Sequence, residues 1–111
     1  MNSKKKGSRG ELELSHKLND LGFHTRRGQQ YSGIEGEDVV GLDGVHIECK
    51  RVEKLNVDKA MEQAIKDGHG EIPIVCHRKN RKDWLVTMRL EDWVELYRSN
   101  RREIVRKKDM K

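Results

Sequence analysis

The apolar positions fall at two spacings, and the switches between them outline the fold. Over residues 9–21 (RGELELSHKLNDL), Leu12, Leu14, Leu18 and Leu21 lie mostly on one helical stripe, and Gly22 supplies a stop. Residues 23–27 can form a short strand, and residues 28–36 (GQQYSGIEG), with three glycines, read as a loop. Residues 37–42 and 45–52 are strand-like and joined by Asp43-Gly44, a strong hairpin dipeptide. Residues 57–67 (VDKAMEQAIKD) predict a helix stopped at Gly68. Residues 72–77 and 84–88 are short apolar strands separated by the basic turn RKNRKD. Residues 90–99 form a last helix with Leu90, Trp93, Val94 and Tyr97 on one face. The order α-β-β-β-α-β-β-α predicts an α/β domain with a mixed sheet of about five strands flanked by helices.

Length and composition narrow the class. The chain has 111 residues, one domain's worth, of which 39% are charged and 33% apolar. Leu, Ile, Val and Phe total 25, enough for a small core, so a dimer that buries more surface is plausible. No apolar run approaches the roughly 20 residues needed to span a bilayer, and the basic N-terminus has no apolar segment behind it. Cys49 and Cys76 sit in apolar runs and read as reduced, buried thiols, so a cytoplasmic location is expected.

Charge adds a partner. The net charge is +5, but residues 1–9 carry +4, residues 101–111 carry +4 and the body between them carries −3. Residues 1–8 are expected to be a flexible basic arm, residues 9–99 the domain and residues 100–111 a basic tail. Basic ends favour a polyanion, most simply nucleic-acid phosphates, although solubilising tails would look the same. An acidic body that binds a polyanion needs a reason to keep its carboxylates, and metal binding is one.

The candidate chemistry lies in residues 38–50. Alternation over Val45-His46-Ile47-Glu48-Cys49-Lys50 puts Val45, Ile47 and Cys49 on one face and His46, Glu48 and Lys50 on the other. Asp38 lies across the Asp-Gly hairpin, where pairing could bring its carboxylate beside that of Glu48. Two adjacent carboxylates repel unless something neutralises them. Mg²⁺ or Mn²⁺, which prefer oxygen ligands, would do so, with the Cys49 backbone carbonyl as a third oxygen. Such a site can activate water and stabilise the charge of phosphodiester hydrolysis, with Lys50 orienting or deprotonating that water. An amphipathic strand whose outer face happens to be charged would show the same spacing.

The pattern Asp38 … Glu48-Cys49-Lys50 resembles the PD-(D/E)xK nuclease superfamily, and the N-terminal part is similar to Holliday junction resolvases of archaeal type and to small resolvase-like endonucleases of phages and prophages. Lys6-Gly7-Ser8-Arg9-Gly10-Glu11, then Gly22-Phe23 with Arg26, then Tyr31-Ser32-Gly33 ahead of the motif Asp, carry the likeness over roughly residues 6–97. The motif's Pro is replaced by Glu37, and Cys49 fills its variable position. The resemblance implies a restriction-endonuclease-like core. It also implies a magnesium-dependent endodeoxyribonuclease acting on branched DNA in recombination, a homodimer and a phage or prophage origin. It makes Glu11 a catalytic acid and possible metal ligand, and Gln63 a helix residue facing the metal. Lys6, Arg9, Arg26, Arg27, Gln29, Tyr31, Ser32, Arg51, Arg78, Lys79, Arg81 and Lys82 are the expected DNA contacts. The motif does not separate this from a nuclease of the same fold on ordinary or nicked duplex, or from a non-catalytic DNA-binding protein, because substrate choice sits in loops. The His and Cys positions lack the spacing of a structural zinc site. Trp84 and Trp93 read as core or dimer contacts.

Overall fold

The computed structural model describes residues 3–28 and 38–109, with side chains from residue 8 onward. Three helices and five strands follow one another as α1 (Ser3–Asp20), β1 (Arg26–Arg27), β2 (Val39–Val40), β3 (Val45–Arg51), α2 (Val57–Asp67), β4 (Ile72–Arg78), β5 (Leu85–Met88) and α3 (Leu90–Asp109). The strands form one sheet in sequence order, antiparallel except for the parallel pair β3–β4 that α2 connects.

Alternation along β3 and β4 sends side chains to two different layers. Ile47, Ile74 and Cys76 face α1 and pack with Leu14 and Val39, with Leu18, Val45 and Cys49 at the margin. Val75 faces the other way and packs on Ala60 and Ala64 of α2. The small residues on α2 allow that helix to lie close to the sheet. Its start is capped by Asn56, whose Oδ1 accepts the Lys59 N–H at 3.0 Å.

Helix α1 is fixed at both ends of its buried stripe. Near its start, Gly10 is buried against β3, so that an added Cβ would lie 2.6 Å from Arg51 Cβ. At its end, Gly22 takes φ +105° and the Phe23 N–H reaches back to the Leu18 carbonyl at 3.1 Å, a Schellman termination. Asn19 then holds both polar groups of the Thr25 backbone, and the Ser15 and Thr25 hydroxyls lie 3.0 Å apart in the interior. These bonds tie the edge strand β1 to the helix.

The structure corrects several expected boundaries. Helix α1 begins at Ser3, so the described part of the expected basic arm is helical. Residues 4–9 contain no proline, and the helix runs through Gly7 and Gly10. Helix α3 runs to Asp109, so residues 100–109 are not an irregular tail. That stretch holds no Gly or Pro, and Arg106, Lys107 and Lys108 suit the negative end of the helix dipole. Of the strand expected over residues 23–27 only Arg26–Arg27 is in the ladder, and of the described part of that expected over 37–42 only Val39–Val40, because Gly41 (φ +128°) and the Asn19–Thr25 contacts bend the chain out of the ladder.

Candidate active site

The hairpin register, Val39 opposite Ile47, brings Asp38 to β3 at the level of Glu48 and Cys49. The Asp38 N–H donates to the Ile47 carbonyl at 3.1 Å, and its Oδ2 accepts the Cys49 N–H at 2.8 Å. This carboxylate therefore takes the place of a ladder carbonyl at the end of β2. The backbone therefore helps fix its orientation.

Glu48 points to the α2 side of the sheet and is 2% exposed. Its Oε1 lies 3.0 Å from Nε2 of His46, also 2% exposed and two residues back on the same face. Burial pushes the Glu48 carboxyl well above the usual carboxylate range, and the Asp38 charge and a hydrogen bond with Asp38 push it the same way. Lys50 on the same face opposes this, and Asp67 at the buried end of α2 adds to it. Glu48, buried beside the Asp38 charge, thus favours its protonated form unless a cation offsets that charge.

On the α1 side, Glu11 is held by Arg27, whose Nε donates to Oε2 at 2.9 Å. Burial raises the Glu11 carboxyl, Arg27 opposes the shift and the charge of Asp38 adds to it, so Glu11 belongs to the same electrostatic neighbourhood. Glu13, two residues further along α1, bridges Arg51 (3.2 Å) and Arg78. These arginines end the parallel strands β3 and β4 and are register partners. Cys49 packs at the core margin, and burial pushes its thiol strongly upward; burial pushes the Cys76 thiol up to about 11.

The expected residues divide accordingly. Asp38, Glu48 and Lys50 come together; Glu11, with Arg27, lies on the α1 side and shares only the Asp38 charge with them, and Arg51 and Arg78 are held by Glu13. Arg26 is exposed on β1, and Lys79, Arg81 and Lys82 are exposed on the β4–β5 turn, where Arg78 Nε bonds the Lys82 carbonyl at 2.5 Å. Arg9 is exposed on α1, and Gln63 is exposed on α2 between the buried Ala60 and Ala64. Gln29, Tyr31 and Ser32, and the Lys6 side chain, lie outside the described residues. Two residues near Glu48 were not expected in the site. His46 was legible from alternation, which put it on the Glu48 face. Asp67 was legible from helical spacing, seven residues after Ala60. Neither belongs to a motif.

Asp38 and Glu48 supply hard oxygen donors, and their mutual repulsion is the feature a divalent cation relieves. The donor chemistry therefore fits Mg²⁺ or Mn²⁺. Among the described residues no three His, Cys, Asp or Glu side chains converge into a ready-made cage, and Glu11 is turned to Arg27.

A five-stranded mixed sheet between two helices, with an Asp at the hairpin and Glu-x-Lys on the next strand, is the resolvase-like PD-(D/E)xK fold. Among solved structures the chain is similar to Hjc of Archaeoglobus fulgidus, a Holliday junction resolvase from an archaeal hyperthermophile. The identity is 27%, the TM-score 0.55, and the match covers 75% of this chain and 72% of that one. No family model matches the sequence, and comparison with curated proteins finds no match. No described helix is long and apolar enough to cross a membrane.

Proposed function

We propose that the protein is a metal-dependent, structure-selective DNA endonuclease that cuts four-way junctions. The observation that carries this reading is the Asp38–Glu48 carboxyl pair, held at the β2–β3 hairpin with Lys50 on the same face. The likeness to an archaeal resolvase supplies the substrate class. Asp38 and Glu48 would hold Mg²⁺ or Mn²⁺, with the Cys49 carbonyl and Glu11 as further oxygens. The bound cation would supply Lewis-acid stabilisation of the phosphate charge and a more acidic water.

The chain's own groups do the rest. The Cys49 N–H fixes the Asp38 carboxylate, and His46 restrains the Glu48 carboxylate by donating from Nε2 when Glu48 is ionised. Lys50 offsets charge on the scissile phosphate or takes a proton from the attacking water. Arg26, Arg27, Arg51, Arg78 and the basic turn of residues 78–82 position the DNA through phosphates, reading shape and not bases. A twofold dimer would match the two strands that a junction presents for cutting. A phage or prophage source rests on the resemblance to small resolvase-like endonucleases alone.

The test is a gel assay on a labelled four-way junction and a linear duplex of the same sequence, with Mg²⁺, Mn²⁺ or EDTA, for wild type and Glu48→Ala. Paired symmetric nicks in the junction alone, lost in EDTA and in the variant, are expected. Equal cutting of both substrates would remove the junction selectivity, and cutting in EDTA would remove the metal.

A further inference from the structure

Packing alone does not explain His46. It is 2% exposed on the α2 face of β3, the face on which Val75 packs against Ala60 and Ala64. An apolar side chain there would bury as much surface without taking ring nitrogens out of water. What the imidazole adds is a donor inside the interior, and its Nε2 lies 3.0 Å from Oε1 of Glu48. Gly68, at the end of α2, closes over it: a Cβ added there would lie 3.5 Å from His46 Cβ. The ring is gripped between β3 and α2 and has little room to follow Glu48 if that side chain turns.

Each acid of the proposed metal pair is tied through one oxygen. Asp38 Oδ2 accepts the Cys49 N–H at 2.8 Å, and Glu48 Oε1 accepts from His46 when Glu48 is ionised. Glu48 also meets the Asp38 carboxyl in a hydrogen bond. A carboxylate held in this way cannot swing its plane to present both oxygens to one ion. Mg²⁺ is bound through one or two carboxylates and keeps several waters, whereas Ca²⁺ takes about 6–8 oxygens in a flexible shell, with carboxylates that are often bidentate. Few oxygens, fixed in advance, suit the smaller ion.

We propose that His46 is a positioning residue that sets the cation choice of the site: by holding Glu48 through one oxygen it admits Mg²⁺ or Mn²⁺ and discriminates against Ca²⁺. The inference rests on the metal-dependent reading above and adds a residue to it that belongs to no motif.

The test is isothermal titration calorimetry of the full chain with Mg²⁺, Mn²⁺ and Ca²⁺ in turn, without DNA, for wild type, His46→Gln and His46→Asn. Gln carries an N–H donor close to the position of Nε2. Asn carries the same amide one methylene short, so the two variants differ in reach and not in chemistry. Wild type and H46Q are expected to bind Mg²⁺ more tightly than Ca²⁺. In H46N the ratio of the two affinities is expected to fall by about tenfold, the lower end of what a metal site loses with a partner that orients its ligand. The ratio is read within one variant, so a loss of stability that weakens both ions alike leaves it unmoved. A second reading needs no variant: in ¹⁵N NMR of wild type the His46 Nε2–H is expected to persist with Mg²⁺ bound. A ratio unchanged in H46N, a ratio that falls equally in H46Q, a wild type without preference between the two ions, or an Nε2 that has lost its proton in the Mg²⁺ complex would each overturn the inference and leave the nuclease reading standing. A wild type that binds none of the three ions would overturn both.

Discussion

Gly10→Ala sets two opposed effects against each other, and the structure says which wins. On helix propensity alone the change should stabilise α1 by about 0.8–1 kcal/mol, because Gly10 lies inside the helix. Against this, the new Cβ would lie 2.6 Å from Arg51 Cβ and 3.8 Å from Cys49 Sγ. Arg51 Cβ is anchored to the β3 backbone and cannot swing aside, so the helix must lift by the better part of an ångström. Overpacking of this kind costs about 1–3 kcal/mol. The net expectation is a loss of about 1 kcal/mol, read as a lower urea midpoint at unchanged slope. Lifting α1 also moves Glu11 and Glu13 away from Arg27, Arg51 and Arg78, so junction cleavage should fall more than stability does. A variant stabilised by about 1 kcal/mol, the propensity term alone, would refute the close approach of α1 to β3 and with it the placement of Glu11.

Three further outcomes follow from the site. Asp38→Asn keeps an oxygen to accept the Cys49 N–H, so the fold should persist by circular dichroism while cleavage drops on the order of a hundredfold or more. Glu48 has its carboxyl raised in the fold, so without metal its contribution to stability is fully present below the unfolded value and lost as pH rises through the raised one; urea unfolding in EDTA at increasing pH should show wild type losing stability over that window and Glu48→Gln losing less. Glu13→Gln releases Arg51 and Arg78 from their shared carboxylate, so junction binding should tighten and its salt dependence steepen by up to about two phosphate contacts, measured by fluorescence anisotropy over a salt series. An unchanged slope would mean that these arginines serve only to tie α1 to the sheet.

Much of this was legible in the residues because the signals were local. Alternation in Val45 to Lys50 placed Glu48 and Lys50 together, and the Asp43-Gly44 turn placed Asp38 beside them, since a two-strand register depends on little beyond the turn. Helix α2 was bounded at both ends by its cap residues. What was not legible depended on contacts between distant segments. Nothing near Arg51 or Arg78 announces Glu13, which lies 38 and 65 residues away. Arg51 and Arg78 were expected on phosphates and are held by an acid. The ends of α1 and α3 were misjudged because a run of basic residues reads equally as a solvated tail or as an exposed helix, and charge alone does not choose between them. Trp93 was expected in a core or dimer contact. It is half exposed within the single chain, so the first of those is excluded.

The acids of this body are not treated alike. Glu11 has Arg27, Glu13 has two arginines, and Glu53 accepts the Asn80 N–H at 2.6 Å. These pairings are partly exposed and contribute modestly. Glu48 is the opposite case: it is buried, and its neighbours include two further carboxylates, Asp38 and Asp67. A Gln at this position would still accept a hydrogen bond from His46 and would carry no charge into the interior. A chain built only for stability would have little use for the acid. Under the proposed function, a cation from outside the protein would complete the charge at this acid, where ionisation is disfavoured. The lysine two residues on, facing the same way, is where a phosphate would be met.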